Sequence, residues 1–274
     1  PAGPPRSIGV GMGDAAPQTI GDHSQWAESS HCRVSAVRHF GAFAVLELIA
    51  PRVARRAQPG QFVMITVPGG GFLLRRPVSL FSVRGDRISL LLEARGAGTE
   101  RLVGLEVGES IDLAGPLGSA FPTEGVSNAL LVGGGIGCAP LQYLADELAA
   151  AGAGVTAAFG FRDFRAARAA GAFSIDRLWV ATEDGSVGKA GTALHLLAAL
   201  DVAPGTTVYA CGPAPMIAAV QRWTFAEGLR GYVSLEAHMA CGTGSCHGCV
   251  VDTARGKLRV CSEGPVFRLD EVTP

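Results

Sequence analysis

Four cysteines crowd toward the C-terminal end of this 274-residue chain, at Cys241, Cys246, Cys249 and Cys261. Thiols so close together must pair as disulfides, hold metal, or be buried as small apolar groups. The chain has seven cysteines, an odd count, and its first residues carry no secretory signal pattern, which favours metal over disulfides. Their spacing is C-x4-C-x2-C, then eleven residues, then the fourth cysteine. That is the plant-type [2Fe–2S] spacing, and the physics behind it is that each iron needs two thiolates. The glycine-rich stretch from Gly242 to Gly248 can wrap a cluster and aim backbone N–H groups at its sulfurs. Such donors stabilise the more negative reduced state. A structural zinc site pairs its cysteines twice over, whereas here three bunch and one stands alone. Zinc and buried free thiols stay as the alternatives. His238 and His247 lie beside the quartet, but a Rieske-type centre needs two His and only two Cys, so they read as neighbours of the ligands or as exposed. Cys32, Cys138 and Cys211 default to small buried hydrophobes.

A length of 274 residues suits two or three domains, and 48% hydrophobic content with a mean hydropathy of +0.29 supplies ample core. The formal net charge of −1 points to neither nucleic acid nor an anionic membrane as partner. Residues 125–145 carry no formal charge over about a bilayer's length, yet Gly133, Gly134, Gly135, Gly137 and Pro140 interrupt them. A buried strand, a glycine turn and a helix explain that stretch, and the expected setting is a cytoplasmic protein without membrane contact. Residues 1–30, rich in Gly, Pro, Ala and Ser, read as a disordered leader or a cloning artefact.

From residue 31 to 122 the signals are β. Runs at 44–49, 61–67 and 87–93 are strand-length and bounded by Gly and Pro, which predicts a small antiparallel barrel or sandwich. From 123 to 233 strands and helices alternate. Strands are expected at 128–132, 155–159, 178–182 and 207–210, and helices at 139–151, 192–200 and 215–227. Such alternation means a parallel α/β sheet. The segment 234–274, rich in Gly and Cys, forms a small third domain for the cluster.

Two regions have the chemistry of nucleotide sites. Gly133-Gly-Gly-Ile-Gly-Cys-Ala-Pro140 joins a strand to a helix, where glycines admit a pyrophosphate and the helix N-terminus offers free N–H groups. As a bare motif it is weak, since a tight turn uses glycine too; the α/β context strengthens it, and Pro140 departs from G-x-G-x-x-G. In the barrel, Arg76-Pro77-Val78-Ser79 places a permanent cation and a hydroxyl after a glycine loop, and Gly98-Thr99 precedes a short helical stretch. Taken alone, Arg76 is an ordinary surface charge and Gly98-Thr99 an ordinary turn.

The order of these pieces, with Cys211-Gly212-Pro213 and the cysteine segment behind them, resembles the ferredoxin–NADP reductase superfamily. Glu236-Ala-His-Met-Ala-Cys241 through Cys249, and Cys261-Ser-Glu-Gly-Pro-Val-Phe267, make the chain similar to the electron-transfer subunits of class 1B dihydroorotate dehydrogenases over residues 31–270. The resemblance implies an FAD held by the barrel. Arg76 would face its phosphates, with Pro77 and Val78 beside it, and Ser79 would sit near flavin N5. Leu91, Leu92 and Glu93 would line the ring, and Gly98 and Thr99 would bind the pyrophosphate. NAD(H) would sit at Gly133, Gly134, Gly135, Gly137 and Pro140, with Cys211, Gly212 and Pro213 close to the nicotinamide. Ser79 and Cys211 are thus the implied catalytic residues. The implied partner is an FMN-containing catalytic subunit that oxidises dihydroorotate in pyrimidine biosynthesis, in a heterotetramer. Val78 stands where an aromatic is common elsewhere in the superfamily. Arg162, Arg165 and Arg168 could read a 2′-phosphate, so NADP(H) stays open beside NAD(H). Two other readings stay open as well: a reductase subunit serving a ferredoxin or hydrogenase, and a zinc-stabilised nucleotide-binding regulator.

Overall fold

Strand-length runs, the most apolar of them Phe43–Ile49, Phe62–Ile65 and Arg87–Glu93, build the first half of the chain. The computed structural model describes residues 29–273. The leader expected over 1–30 lies outside them, apart from Ser29 and Ser30, which open the first strand. Six strands, β1 (Ser29–Phe40), β2 (Phe43–Ile49), β3 (Phe62–Ile65), β4 (Arg76–Arg84), β5 (Arg87–Glu93) and β6 (Ser110–Leu117), close an antiparallel barrel in the order β1-β2-β5-β4-β3-β6. Val34, Leu46, Leu48, Val63, Ile65, Leu80, Ile88 and Leu90 fill it with no exposed surface. Each such side chain contributes about 1.5–3 kcal/mol against roughly 1 kcal/mol for a typical hydrogen bond, so the core holds this barrel more than its ladder does. Two short helices, α1 (Pro51–Ala54) and α2 (Ala97–Val103), pack against it, Leu102 of α2 being fully buried in the barrel core.

The second half is a parallel sheet edged by one antiparallel strand. It contains β7 (Asn128–Gly134), β8 (Gly154–Phe161), β9 (Leu178–Thr182), β10 (Lys189–Ala190), β11 (Thr207–Cys211) and β12 (Arg230–Ser234). Helix α3 (Ala139–Ala150) covers one face, burying Leu141, Leu144 and Leu148 against Leu131, Phe159 and Tyr209. Helices α5 (Ala193–Leu197) and α6 (Ala214–Ala226) cover the other, against Leu130, Val132 and Val208, while α4 (Phe164–Ala167) follows β8. Burial on both faces explains why β7 and β11 are continuous apolar runs in sequence. Tyr143 of α3 reaches into the barrel core and its hydroxyl donates to the Ala57 carbonyl at 2.9 Å, so α3 ties the two halves together. No helix among the described residues is long and apolar enough to cross a membrane.

The last segment is pinned at both ends. Strands β13 (Val250–Thr253) and β14 (Gly256–Arg259) form a hairpin, and β15 (Val266–Arg268) returns antiparallel to β12 as the seventh strand of the sheet, order β10-β9-β8-β7-β11-β12-β15. The loop carrying three of the cysteines is therefore an excursion between β12 and the hairpin, leaving from the strand that β15 pairs.

Candidate functional site

The hairpin explains the lone fourth cysteine. Cys249 immediately precedes β13 and Cys261 follows β14 by two residues, and the Val260 N–H donates to the Cys249 carbonyl at 3.0 Å. Eleven intervening residues thus fold away and leave the two thiols adjacent. Their side chains interact with each other, as do those of Cys241 and Cys246. Among the described residues no three His, Cys, Asp or Glu gather as ligands of a single ion. What the loop presents is two thiol pairs, the donor set that a two-iron cluster requires. Backbone N–H groups already face the sulfurs: Gly244 to Cys261 Sγ at 3.1 Å, Thr243 to Cys241 Sγ and Cys261 to Cys249 Sγ at 3.4 Å.

The pairs differ in surroundings. Cys249 and Cys261 are each 3% exposed, whereas Cys246 lies at the surface and Cys241 is half-buried. Burial, then the neighbouring Cys249 thiol, push Cys261 up to about 12 against the Gly244 N–H. At Cys241 burial works upward too, but N–H groups of Thr243 and Cys246 outweigh it and bring the thiol down to about 6. The loop achieves its curvature with left-handed backbone at Gly242, Gly244 and, without glycine's freedom, at His247 (φ 55°). A Cβ on Gly242 would stand 2.5 Å from Met64 Cγ, so the loop lies directly on the barrel wall. His238 and His247 are both exposed.

A cavity of about 260 Å³ opens between barrel and sheet. Arg76, Pro77, Val78, Ser79, Leu91, Leu92, Glu93 and Thr99 line it from the barrel, and Pro140 and Cys211 from the sheet. The Arg76 guanidinium donates to the Leu74 carbonyl at 2.5 Å and lies over the Phe72 ring. Gly98 is packed flat against it: a Cβ there would stand 2.9 Å from Arg76 Nη2. The Thr99 hydroxyl accepts from the N–H groups of Arg95 and Gly96 and donates to the Gly96 carbonyl, which shapes the entry to α2. A permanent cation beside a glycine at a helix start is a fitting cradle for a pyrophosphate.

On the sheet side the glycines mark where two backbones cross. A Cβ on Gly137 would meet Gly212 Cα at 2.7 Å and the Cys211 carbonyl at 2.8 Å, and one on Gly134 would meet Pro213 Cδ at 3.0 Å. The Gly133–Gly137 turn thus lies on Cys211-Gly212-Pro213, at the C-terminal ends of β7 and β11, where open α/β sheets take ligands. Cys211 and Cys138 are buried, and burial, with Glu236's charge adding, holds both thiols well above their usual range. Both therefore stay neutral.

Sequence reading missed Glu236 and Arg95, which also line the cavity. Although the Glu236 side chain opens into it, surrounding protein raises its carboxyl, Arg95 opposing and Glu93 reinforcing that shift. Glu236 opens the cysteine motif quoted above, but the motif gives no sign that its carboxyl lines the cavity. The three arginines after β8 do not converge. Arg162 pairs with Asp163 at 3.2 Å, Arg165 is exposed, and Arg168 lies against Gly41 of the barrel. Asp163 is itself committed, accepting from the Ala166 N–H at 2.9 Å at the start of α4.

Known proteins resemble this chain in sequence and in fold. The sequence model of the iron-sulfur cluster binding domain of dihydroorotate dehydrogenase B matches residues 236–273. The dihydroorotate dehydrogenase B (NAD(+)) electron transfer subunit of Shouchella clausii is 37% identical over 238 residues, covering 80% of this chain and 88% of the relative. That of Geobacillus thermodenitrificans is 38% identical over 240 residues, covering 83% and 91%. Among solved structures, the NADH-dependent reduced ferredoxin-NADP oxidoreductase superimposes with a TM-score of 0.78 at 28% identity, over 88% of this chain and 89% of that one.

Proposed function

The chain belongs to the family of dihydroorotate dehydrogenase B electron transfer subunits, and from that premise we propose that it relays electrons from a dihydroorotate-oxidising partner to NAD+. The observation that carries this reading is the pair of thiol pairs seated on a barrel whose cavity faces a glycine turn. A bound flavin supplies the exchange between one-electron and hydride chemistry that such a relay needs.

The chain's own residues then divide the work. Residues 31–122 hold FAD, 123–233 hold the nicotinamide nucleotide, and 234–274 hold a [2Fe–2S] cluster through Cys241, Cys246, Cys249 and Cys261. Arg76 neutralises the FAD phosphates, and Gly98 and Thr99 give them a backbone to approach. Ser79 offers its hydroxyl at the flavin edge, while Leu91, Leu92, Pro77 and Val78 keep water from the ring. Gly133, Gly134, Gly135 and Gly137 let the dinucleotide phosphates reach the start of α3, whose first turn accommodates Pro140 without breaking a helical hydrogen bond. Cys211, as a neutral thiol, and Gly212-Pro213 would line the place of the nicotinamide beside the flavin cavity. The divergence of Arg162, Arg165 and Arg168 and the carboxylate of Asp163 favour NAD(H) over its 2′-phosphorylated form. Cys246, exposed at the surface, would give a bound cluster its partner-facing side, toward an FMN-bearing subunit in a complex with two copies of each subunit.

Arg76→Ala is expected to weaken FAD binding, because a charged hydrogen bond is worth about 1.5–3 kcal/mol and its loss costs roughly tenfold or more in affinity. Gly98→Ala should act in the same direction by displacing the guanidinium, since the contact at 2.9 Å leaves no room for a methyl group. Both are read as flavin released on gel filtration, with iron content unchanged; full flavin retention in both variants would contradict the assignment.

Co-expression with a catalytic dihydroorotate dehydrogenase subunit tests the function itself. The complex should reduce NAD+ with dihydroorotate, and neither subunit alone should do so. The likeness to the NADH-dependent reduced ferredoxin-NADP oxidoreductase supports a second reading, in which ferredoxin is the redox partner. Failure to form the complex, with NADH-driven ferredoxin reduction instead, would establish that one.

A further inference from the structure

Arg259 holds an arrangement that the relay just described does not use. It closes β14, two residues before Cys261. Its Nη1 donates to the Gly244 carbonyl at 3.0 Å, and the N–H of the same Gly244 donates to Cys261 Sγ at 3.1 Å. Its Nε donates to Glu263 Oε2 at 3.0 Å, its Nη2 pairs with Glu263 Oε1, and its backbone N–H donates to Oε2 at 2.7 Å. The Arg259 carbonyl in turn accepts from the N–H groups of Ser262, Glu263 and Gly264, forming the turn that aims Cys261. The guanidinium interacts electrostatically with the thiols of Cys261 and Cys249. Arg and Glu side chains are only 29% and 17% exposed, so solvent screens this charge incompletely.

We propose that Arg259, held by Glu263 and Gly244, is a positioning residue that raises the reduction potential of the cluster by fixing a positive charge on its Cys249–Cys261 side. The inference rests on the reading that the quartet holds a [2Fe–2S] cluster. Reduction adds one negative charge to the cluster, so a nearby cation stabilises the reduced state more than the oxidised one. A merely structural pair bracing the turn would predict something different. Losing either member would then loosen the loop alike, and both variants would shift the potential in one direction or leave it unmoved.

The test is the midpoint potential of the cluster in the purified chain, followed by its electron paramagnetic resonance signal in a redox titration. Iron analysis first establishes loading in the wild type; absence of a cluster there would overturn the underlying reading, not this step. Arg259→Gln should lower the equilibrium constant for reduction by roughly tenfold, a fall of about 59 mV for a one-electron couple. Glu263→Gln leaves the guanidinium on Gly244 but removes its counter-charge, so the potential should rise. Equal potentials in all three proteins, or shifts of the same sign in both variants, would overturn the proposal. Should R259Q fail to load, E263Q decides alone, and a potential at or below that of the wild type would refute it.

Discussion

Cys249→Ser is expected to leave a chain that keeps its flavin and loses its iron. Cys249 is 3% exposed, pairs with Cys261, and accepts the Cys261 N–H at 3.4 Å, so its sulfur is fixed from two sides. Serine fills nearly the same volume but does not present the soft thiolate that iron–sulfur chemistry requires. Iron should fall from about two atoms per chain to near zero. The cysteines pack on Phe62, Met64 and Leu117 of the barrel wall but not among the interior residues such as Leu46, Leu80 and Leu90, so FAD content and NADH-driven reduction of an artificial two-electron acceptor should survive. Transfer to the catalytic partner should vanish. A variant that loses flavin and iron together would mean that the loop supports the barrel more than the contact at Met64 indicates.

Gly137→Val should have a comparably large effect at the other end of the relay. Its Cβ would fall 2.7 Å from Gly212 Cα and 2.8 Å from the Cys211 carbonyl, and both obstacles are backbone. A side chain there must spread the two turns apart. Overpacking of this kind costs about 1–3 kcal/mol, and here it is concentrated where the nicotinamide would lie. The KM for NADH should rise by roughly tenfold or more while flavin and iron content hold. An unchanged KM would remove the turn from the nucleotide site.

Much of this was legible in the residues. The strand 178–182 coincides with β9, and the runs at 44–49 and 87–93 lie within β2 and β5, because apolar side chains confined to strand length admit few other structures. The three cysteines outside the quartet are all buried, as small thiols tend to be. Elsewhere the sequence was silent for physical reasons. The two-residue β10 and three-residue β15 are too short for any periodicity, and they exist because neighbouring strands offer unpaired edges. The helix expected over 192–200 is shorter, Ala193–Leu197, its continuation being a turn after Ala198. That Gly98 packs on Arg76, or that Arg259 bridges Gly244 and Glu263, depends on long-range packing that no local pattern encodes. The cysteine spacing announced a cluster; the division into an inner buried pair and a more accessible outer pair had to come from the hairpin.

The relay is tested most directly by anaerobic titration with NADH, followed by visible absorption. The purified chain should display flavin and iron–sulfur bands together, and both should bleach as NADH is added. Uptake should reach about three electrons per chain, two on the flavin and one on the cluster. A colourless protein carrying zinc on the quartet, or flavin bands that bleach while the iron–sulfur bands stay fully oxidised, would contradict it.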